Sequence, residues 1–139
     1  MSTTIRPSVS PKNKYWIDRH RYYELKHFCL QYPIWYKKYQ STNGMISLPA
    51  TDTIFVESSE VSDPTSKAAI EKAFYAERIR MIHRAAFDAD SQLFTFIIRA
   101  VTEDLSFTFL KTRLDIPCSR DTYYDRYRKF FWILSKMRQ

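Results

Sequence analysis

A single glycine, Gly44, stands in a chain of 139 residues. Loops that cradle phosphate need several glycines, because only a bare Cα lets backbone N–H groups approach the anion closely. The sequence therefore holds neither a P-loop nor a dinucleotide-binding fingerprint. The shortage also counts against a turn-rich β fold, whose tight hairpins lean on glycine at positive φ. Helices need none. Cysteine is nearly as scarce: Cys29 and Cys118 lie far apart, in no metal-ligand spacing, and make no disulfide framework. No apolar run approaches the ~20 residues of a membrane span. The polar opening from Met1 to Pro11 lacks the apolar stretch of a secretory signal. These absences predict a cytoplasmic protein with reduced thiols and no membrane partner.

What is present points the same way. A hydrophobic content of 45% is enough for a core, and the 17% of aromatic residues predicts bulky packing between helices. The formal charge of +7 is unevenly placed: residues 1–40 carry net +6, residues 41–110 net −4, and residues 111–139 net +5. Two cationic ends around an acidic middle attract phosphate through counterion release, which makes nucleic acid the first partner to consider. A soluble basic protein with no such partner would carry the same charge.

Along the chain, residues 1–12 are rich in Ser, Thr and Pro and read as a disordered tail. Residues 13–40 form an aromatic-rich helical segment, with Ile17, Tyr22, Leu25, Phe28 and Cys29 near helical spacing from about Lys14 to Gln31. Pro33 breaks or kinks it before a short continuation to Gln40. Residues 41–62, with Gly44 and Pro49, read as a loop in which Ile54-Phe55-Val56 is a short extended piece. Residues 63–101 read as a central helical pair. Asp63 is its N-cap, Pro64 takes the first helical position, and Asp88–Asp90 breaks the pair before a second helix from Asp90-Ser91 to Val101. The fold class expected is all-α, a small helical domain ending in a helix-turn-helix.

That ending, residues 102–139, carries the functional argument. A short helix over Leu105 to Thr112 is followed by the turn Leu114-Asp115-Ile116-Pro117-Cys118. Pro117 disfavours helix in the residue before it, and Ser119 is a good N-cap for a long helix from Arg120. At ~100° per residue, Tyr123, Tyr127, Phe130, Leu134 and Met137 fall on one stripe and should be core. Asp121, Tyr124, Asp125 and Arg128 fall on the opposite side. In a helix-turn-helix the N-terminal residues of the second helix reach base edges. Arg120, Asp121, Tyr124, Asp125 and Arg128 are therefore the base-contacting candidates. Arg128 suits guanine O6 and N7, and Tyr124 a thymine methyl or a phosphate. The phosphate-contacting candidates are Lys111, Arg113, Ser119, Thr122, Arg126 and Lys129. Asp121 and Asp125 either accept from cytosine amines or pair with Arg128 and Lys129 along the helix. Any amphipathic C-terminal helix puts charge on its wet face. The combination of short helix, Ile-Pro turn, Ser cap and basic second helix favours DNA over that plainer reading.

The run IPCSRDTYYDRYRKFFWILSKMR resembles the C-terminal end of phage-associated late transcriptional regulators of the RinA/ArpU kind, whose helix-turn-helix is similar to region 4 of sigma factors. LKHFCLQYPIWYKKY at 25–39, DPTSKAAI at 63–70 and AVTEDLSFTFL at 100–110 are similar to phage-encoded proteins of the same group. The resemblance implies a regulator of late phage genes acting on double-stranded DNA in the bacterial host cytoplasm, with Ser119 to Lys129 at the recognition-helix positions. Tyr123 and Tyr127 depart from it, standing where smaller aliphatics are usual. RNA polymerase and further copies of the chain are the protein partners such a reading admits.

No catalytic arrangement stands out, so an enzyme is not expected. His20, His27 and Cys29 lack a fourth ligand, His83 sits in a charged stretch and reads as exposed, and Asp88/Asp90 and Glu103/Asp104 read as helix ends. Neither metal nor cofactor is expected. Two other functional classes stay open. A small terminase subunit would also join a helix-turn-helix to helical oligomerisation segments, for which 15–39 offers a surface. A virion or host-interaction protein would carry its basic surface incidentally.

Overall fold

The computed structural model describes residues 12–47 and 59–139. These residues are helical throughout apart from caps and connections, with α1 at Arg19–Leu30, α2 at Tyr32–Ser47, α3 at Ser59–Ala89, α4 at Phe94–Glu103, α5 at Phe107–Arg113 and α6 at Arg120–Met137. No strand occurs among the described residues, so the fold class is all-α. Residues 1–11 of the expected tail and the extended piece at 54–56 lie outside the described residues.

Several boundaries differ from the sequence reading, each for a local reason. α1 starts at Arg19 rather than Lys14. Asn13 folds the preceding residues into a turn, its side-chain oxygen accepting from the Tyr15 N–H at 2.8 Å and its carbonyl from the Trp16 N–H at 3.0 Å. Such side-chain bonds compete with helix. Asp18 then caps α1, accepting from the His20 N–H at 2.9 Å. Pro33 lies in the first turn of α2, where its missing N–H costs little. α2 continues through Gly44 to Ser47, into the stretch read as a loop. A lone mid-helix glycine costs only about 1 kcal/mol. α3 begins at Ser59, so Asp63-Pro64 lies inside it instead of at its start. Pro64 is the sixth residue of α3, so its missing N–H removes one i→i−4 bond from the second turn of that helix.

The chain divides into two compact units, one holding 32–80 and the other the residues before and after it. In the first, α2 and most of α3 bury Trp35, stack Tyr32 on Tyr36 at 6.1 Å and set the Lys72 ammonium over Tyr39 at 5.2 Å. Ile34, Tyr36, Ile70 and Phe74 stay exposed there.

The second unit is built on α6. α1 packs against α4 and α6. Tyr22 of α1 stands edge-on to Phe131 at 5.2 Å, and its hydroxyl shares a 2.8 Å hydrogen bond with that of Tyr127. Beside it in sequence, Arg21 donates to the Ser135 hydroxyl and to the carbonyls of Ser135 and Arg138, closing the last turn of α6. That turn carries the negative end of the helix dipole, which favours a cation. From the other side Phe107 of α5 meets Tyr123 at 5.6 Å and Tyr124 at 6.2 Å. The buried residues of α6 are Tyr123, Tyr124, Phe130, Phe131 and Leu134. Tyr127 and Met137 of the expected stripe are half-buried, Tyr127 with its ring against Tyr22, Tyr123 and Phe131. The stripe is wider than the single row expected because α6 is covered on two sides.

The buried hydroxyls differ in a testable way. Tyr127 has a partner, whereas Tyr123 and Tyr124 have none among the described residues. Tyr127→Ala is expected to lose ~3–5 kcal/mol, as large aromatic truncations do. Tyr127→Phe should lose about 1 kcal/mol by orphaning the Tyr22 hydroxyl. Tyr123→Phe should leave stability unchanged or raise it, since the ring packing survives and an unpartnered polar group is removed. Denaturant midpoints of the three variants check the order.

Candidate nucleic-acid interface

α5 and α6 are joined by residues 114–119. Ser106 caps α5, accepting from the Phe109 N–H at 3.1 Å, and the N–H groups of Leu114 and Ile116 both reach the Leu110 carbonyl. Between them Asp115 takes a left-handed backbone with φ of 54°. Asp104, at the end of α4, does the same with φ of 57°. These are positions where glycine ordinarily stands, and Asp is among the few residues that tolerate them. Ile116 is fully buried and anchors the connection, so Leu114–Ser119 is held between a fixed α5 and a fixed α6.

The side chains expected to meet DNA divide into several groups. Arg120, Asp121 and Arg113 are exposed, and Arg128 and Lys129 half-exposed. Arg113, Asp121, Arg128 and Lys129 have no ion-pair partner among the described residues. Arg120 lies 5.2 Å from the Phe107 ring centre, a cation–π contact that directs it along the start of α6. Lys111 is exposed and donates to the Ile116 carbonyl at 3.3 Å.

Ser119 and Thr122 are engaged with each other. The Ser119 hydroxyl accepts from the Thr122 N–H at 3.2 Å and donates to the Thr122 hydroxyl at 3.1 Å, which caps α6. Arg126, placed among the phosphate contacts, is instead occupied within the chain: its Nε donates to Asp90 at 2.9 Å and its Nη1 to Asp125. Asp125 thus pairs with its neighbour Arg126, not with Lys129. Tyr124 is the clear correction. It is 6% exposed, its ring lying 4.9 Å from Tyr123 and 6.2 Å from both Phe107 and Tyr127. The helix is packed from the α5 side as well as from α1, which turns Tyr124 inward and removes it from any outer face.

Asp90 is the residue that spacing alone could not find. It follows α3, and one carboxylate oxygen accepts from the N–H groups of Gln92 and Leu93 at 2.8 and 3.0 Å while the other holds Arg126. Burial would raise its carboxyl. The Leu93 N–H, the Arg126 guanidinium and the Gln92 N–H outweigh burial and hold it below the usual carboxylate value. His83, expected to be exposed, is half-buried against Phe94, its ring centre 5.9 Å away, and burial lowers its pKa. Both cysteines are free, and burial pushes both thiols upward, away from thiolate chemistry near neutral pH. Among the described residues no group of three or more His, Cys, Asp or Glu is placed to hold a metal, and no helix is long and apolar enough to cross a membrane. Comparison with protein-family models, curated proteins and solved structures finds no match.

The left-handed turn and the Asp90 pair can each be tested by substitution. Asp115→Val should cost about 1–2 kcal/mol because a β-branched side chain clashes in the left-handed region, while Asp115→Gly should be close to neutral. Equal loss in both would mean that the carboxylate, not the backbone, matters there; urea midpoints decide. For Asp90, a carboxyl depressed on folding contributes stability that is complete above its unfolded pKa of about 4 and is lost as pH falls through the folded value. Asp90→Asn should therefore lie well below the parent protein in stability at neutral pH, with the gap closing in acid. A gap of constant size across that range would remove the Arg126 pair from the account.

Proposed function

We propose that the chain is a phage or prophage transcriptional regulator that binds duplex DNA through α5, residues 114–119 and α6 acting as a helix-turn-helix. The observation that carries this reading is the outward set Arg120, Asp121 and Arg128, on a capped helix whose inner face is fixed by aromatic packing. Arg128 and Arg120 reach base edges, and Lys111, Arg113 and Lys129 hold phosphates on either side. Arg126, Ser119 and Thr122 position α6 instead of contacting DNA. The resemblance of 116–138 to late phage regulators, and the net +5 of the C-terminal segment, support the same reading. RNA polymerase is the further partner that a regulator of this kind engages.

A small terminase subunit is the second reading. Exposed Ile34 on α2 and exposed Ile70 and Phe74 on α3 favour it, since a packaging subunit would cover apolar side chains by self-assembly. Selection from a random duplex pool at roughly 150 mM salt separates the readings, because phosphate-only binding largely fades there. An enriched motif at a promoter supports the regulator and one at a packaging site the terminase; no retained duplex overturns both. On the selected site Arg128→Ala should cost ~1–3 kcal/mol and relax discrimination at one position. A loss of equal size on random DNA would reduce Arg128 to a phosphate contact.

A further inference from the structure

Ile70, on the part of α3 that belongs to the 32–80 unit, is the most exposed large apolar side chain among the described residues, 68% open to solvent. Phe74, one turn further along the same face, is 45% exposed. The opposite face of this stretch is the inner one: Tyr75 and Ile79 are half-buried there, and Lys72 reaches the Tyr39 ring of α2. A single apolar residue on a surface needs no explanation. Two on successive turns, outside a helix already packed on its inner side, form the centre of a face.

Charge is ordered along one edge of that face. Glu71 and Arg78 stand seven residues apart, so they share an edge two turns from each other. Arg78 is held in place: its guanidinium lies 3.5 Å from the Phe74 ring centre and donates to the Phe74 carbonyl at 3.3 Å. Neither Glu71 nor Arg78 has an ion-pair partner among the described residues. Turning the helix end for end about Phe74 exchanges the places of these two charges. An antiparallel copy of α3 therefore offers a cation to each Glu71 and a carboxylate to each Arg78. A parallel copy would set this edge against the other one, where Ala73 and Arg80 stand, and would leave Glu71 without a cation.

We propose that the outer face of α3 from Ile70 to Arg78 docks on the same face of a second copy of this chain, antiparallel and about a two-fold axis beside Phe74. Ile70 and Phe74 of both copies form the apolar centre. Glu71 of each copy pairs with Arg78 of the other, twice across the axis. Such a contact closes at two copies, whereas a packaging ring needs a head-to-tail contact that repeats. The pairing thus goes beyond either reading of function and does not rest on duplex binding by α6.

The test is sedimentation equilibrium of the full chain without DNA, from about 1 µM to about 1 mM, the span in which so small a contact should assemble. The mass should rise from that of one chain to that of two and stop there. Ile70→Glu should weaken the dimer at least about tenfold while keeping the parent's circular dichroism. Glu71→Arg and Arg78→Glu should each weaken it roughly tenfold, because like charges then meet twice across the axis. The double variant should recover the parent's affinity. So should an equimolar mixture of the two single variants, since each then supplies the charge that the other lacks. A chain that stays monomeric throughout the range overturns the proposal. So does a dimer indifferent to Ile70→Glu, assembly beyond two copies, or failure of both the double variant and the mixture to recover. Duplex selection reports separately: a monomer that still enriches a motif would sink this pairing and leave the DNA reading standing.

Discussion

The contact between Tyr22 and Tyr127 governs how α6 is presented. It joins α1 to a helix more than a hundred residues later in the chain, and it does so inside a cluster of aromatic rings. Burial raises the Tyr22 phenol to about 12, and Tyr127 is pushed up as well, so both stay neutral and the bond between them persists at any ordinary pH. With that point fixed, Arg21 meets the last turn of α6 on one side and Phe107 meets its first turns on another. The rotation of α6 about its axis, and hence the identity of its outward residues, follows from those three attachments. α1 therefore belongs to the same compact unit as the C-terminal helices.

Much of this was legible in the residues, and the exceptions have physical causes. Ser119 caps α6 as its position after Pro117 suggested, and Tyr123, Phe130 and Leu134 are core as their spacing required. An all-helical chain follows from one glycine and a helical apolar period. Tyr124 was misplaced because periodicity fixes the centre of an apolar stripe and leaves its width open. Width depends on how many neighbours a helix has, and a tyrosine suits either side of the boundary. The pair Tyr123-Tyr124 repeated seven residues on by Phe130-Phe131 was the available sign of a broad stripe. Nothing in the sequence marked Arg126 as already paired, since Asp90 lies 36 positions away. An unpaired surface arginine and a paired one look alike until the fold brings the carboxylate near.

The scarcity of glycine has a structural counterpart. Where α4 ends and where α5 leads into the connection, the chain must turn through the left-handed region, and aspartate occupies both places. At Asp104 the choice adds something glycine could not, because its carboxylate lies 3.6 Å from Lys26 and so links the end of α4 to α1. Near the start of α6, Asp90 and Asp125 each offset the charge of Arg126. The start of the helix is therefore close to balanced in charge despite the basic composition of the C-terminal segment.

That balance bears on how a nucleic acid would be held. Affinity for a phosphate backbone scales with the number of uncompensated cations, whereas discrimination among bases depends on groups fixed in position at the groove. Along α6 charge is divided by length: Arg120 and Arg126 are matched by Asp121 and Asp125 in the first turns, and only cations follow among the charged residues after them. An 18-residue helix spans about 27 Å at 1.5 Å per residue, too long for one groove contact to use all of it.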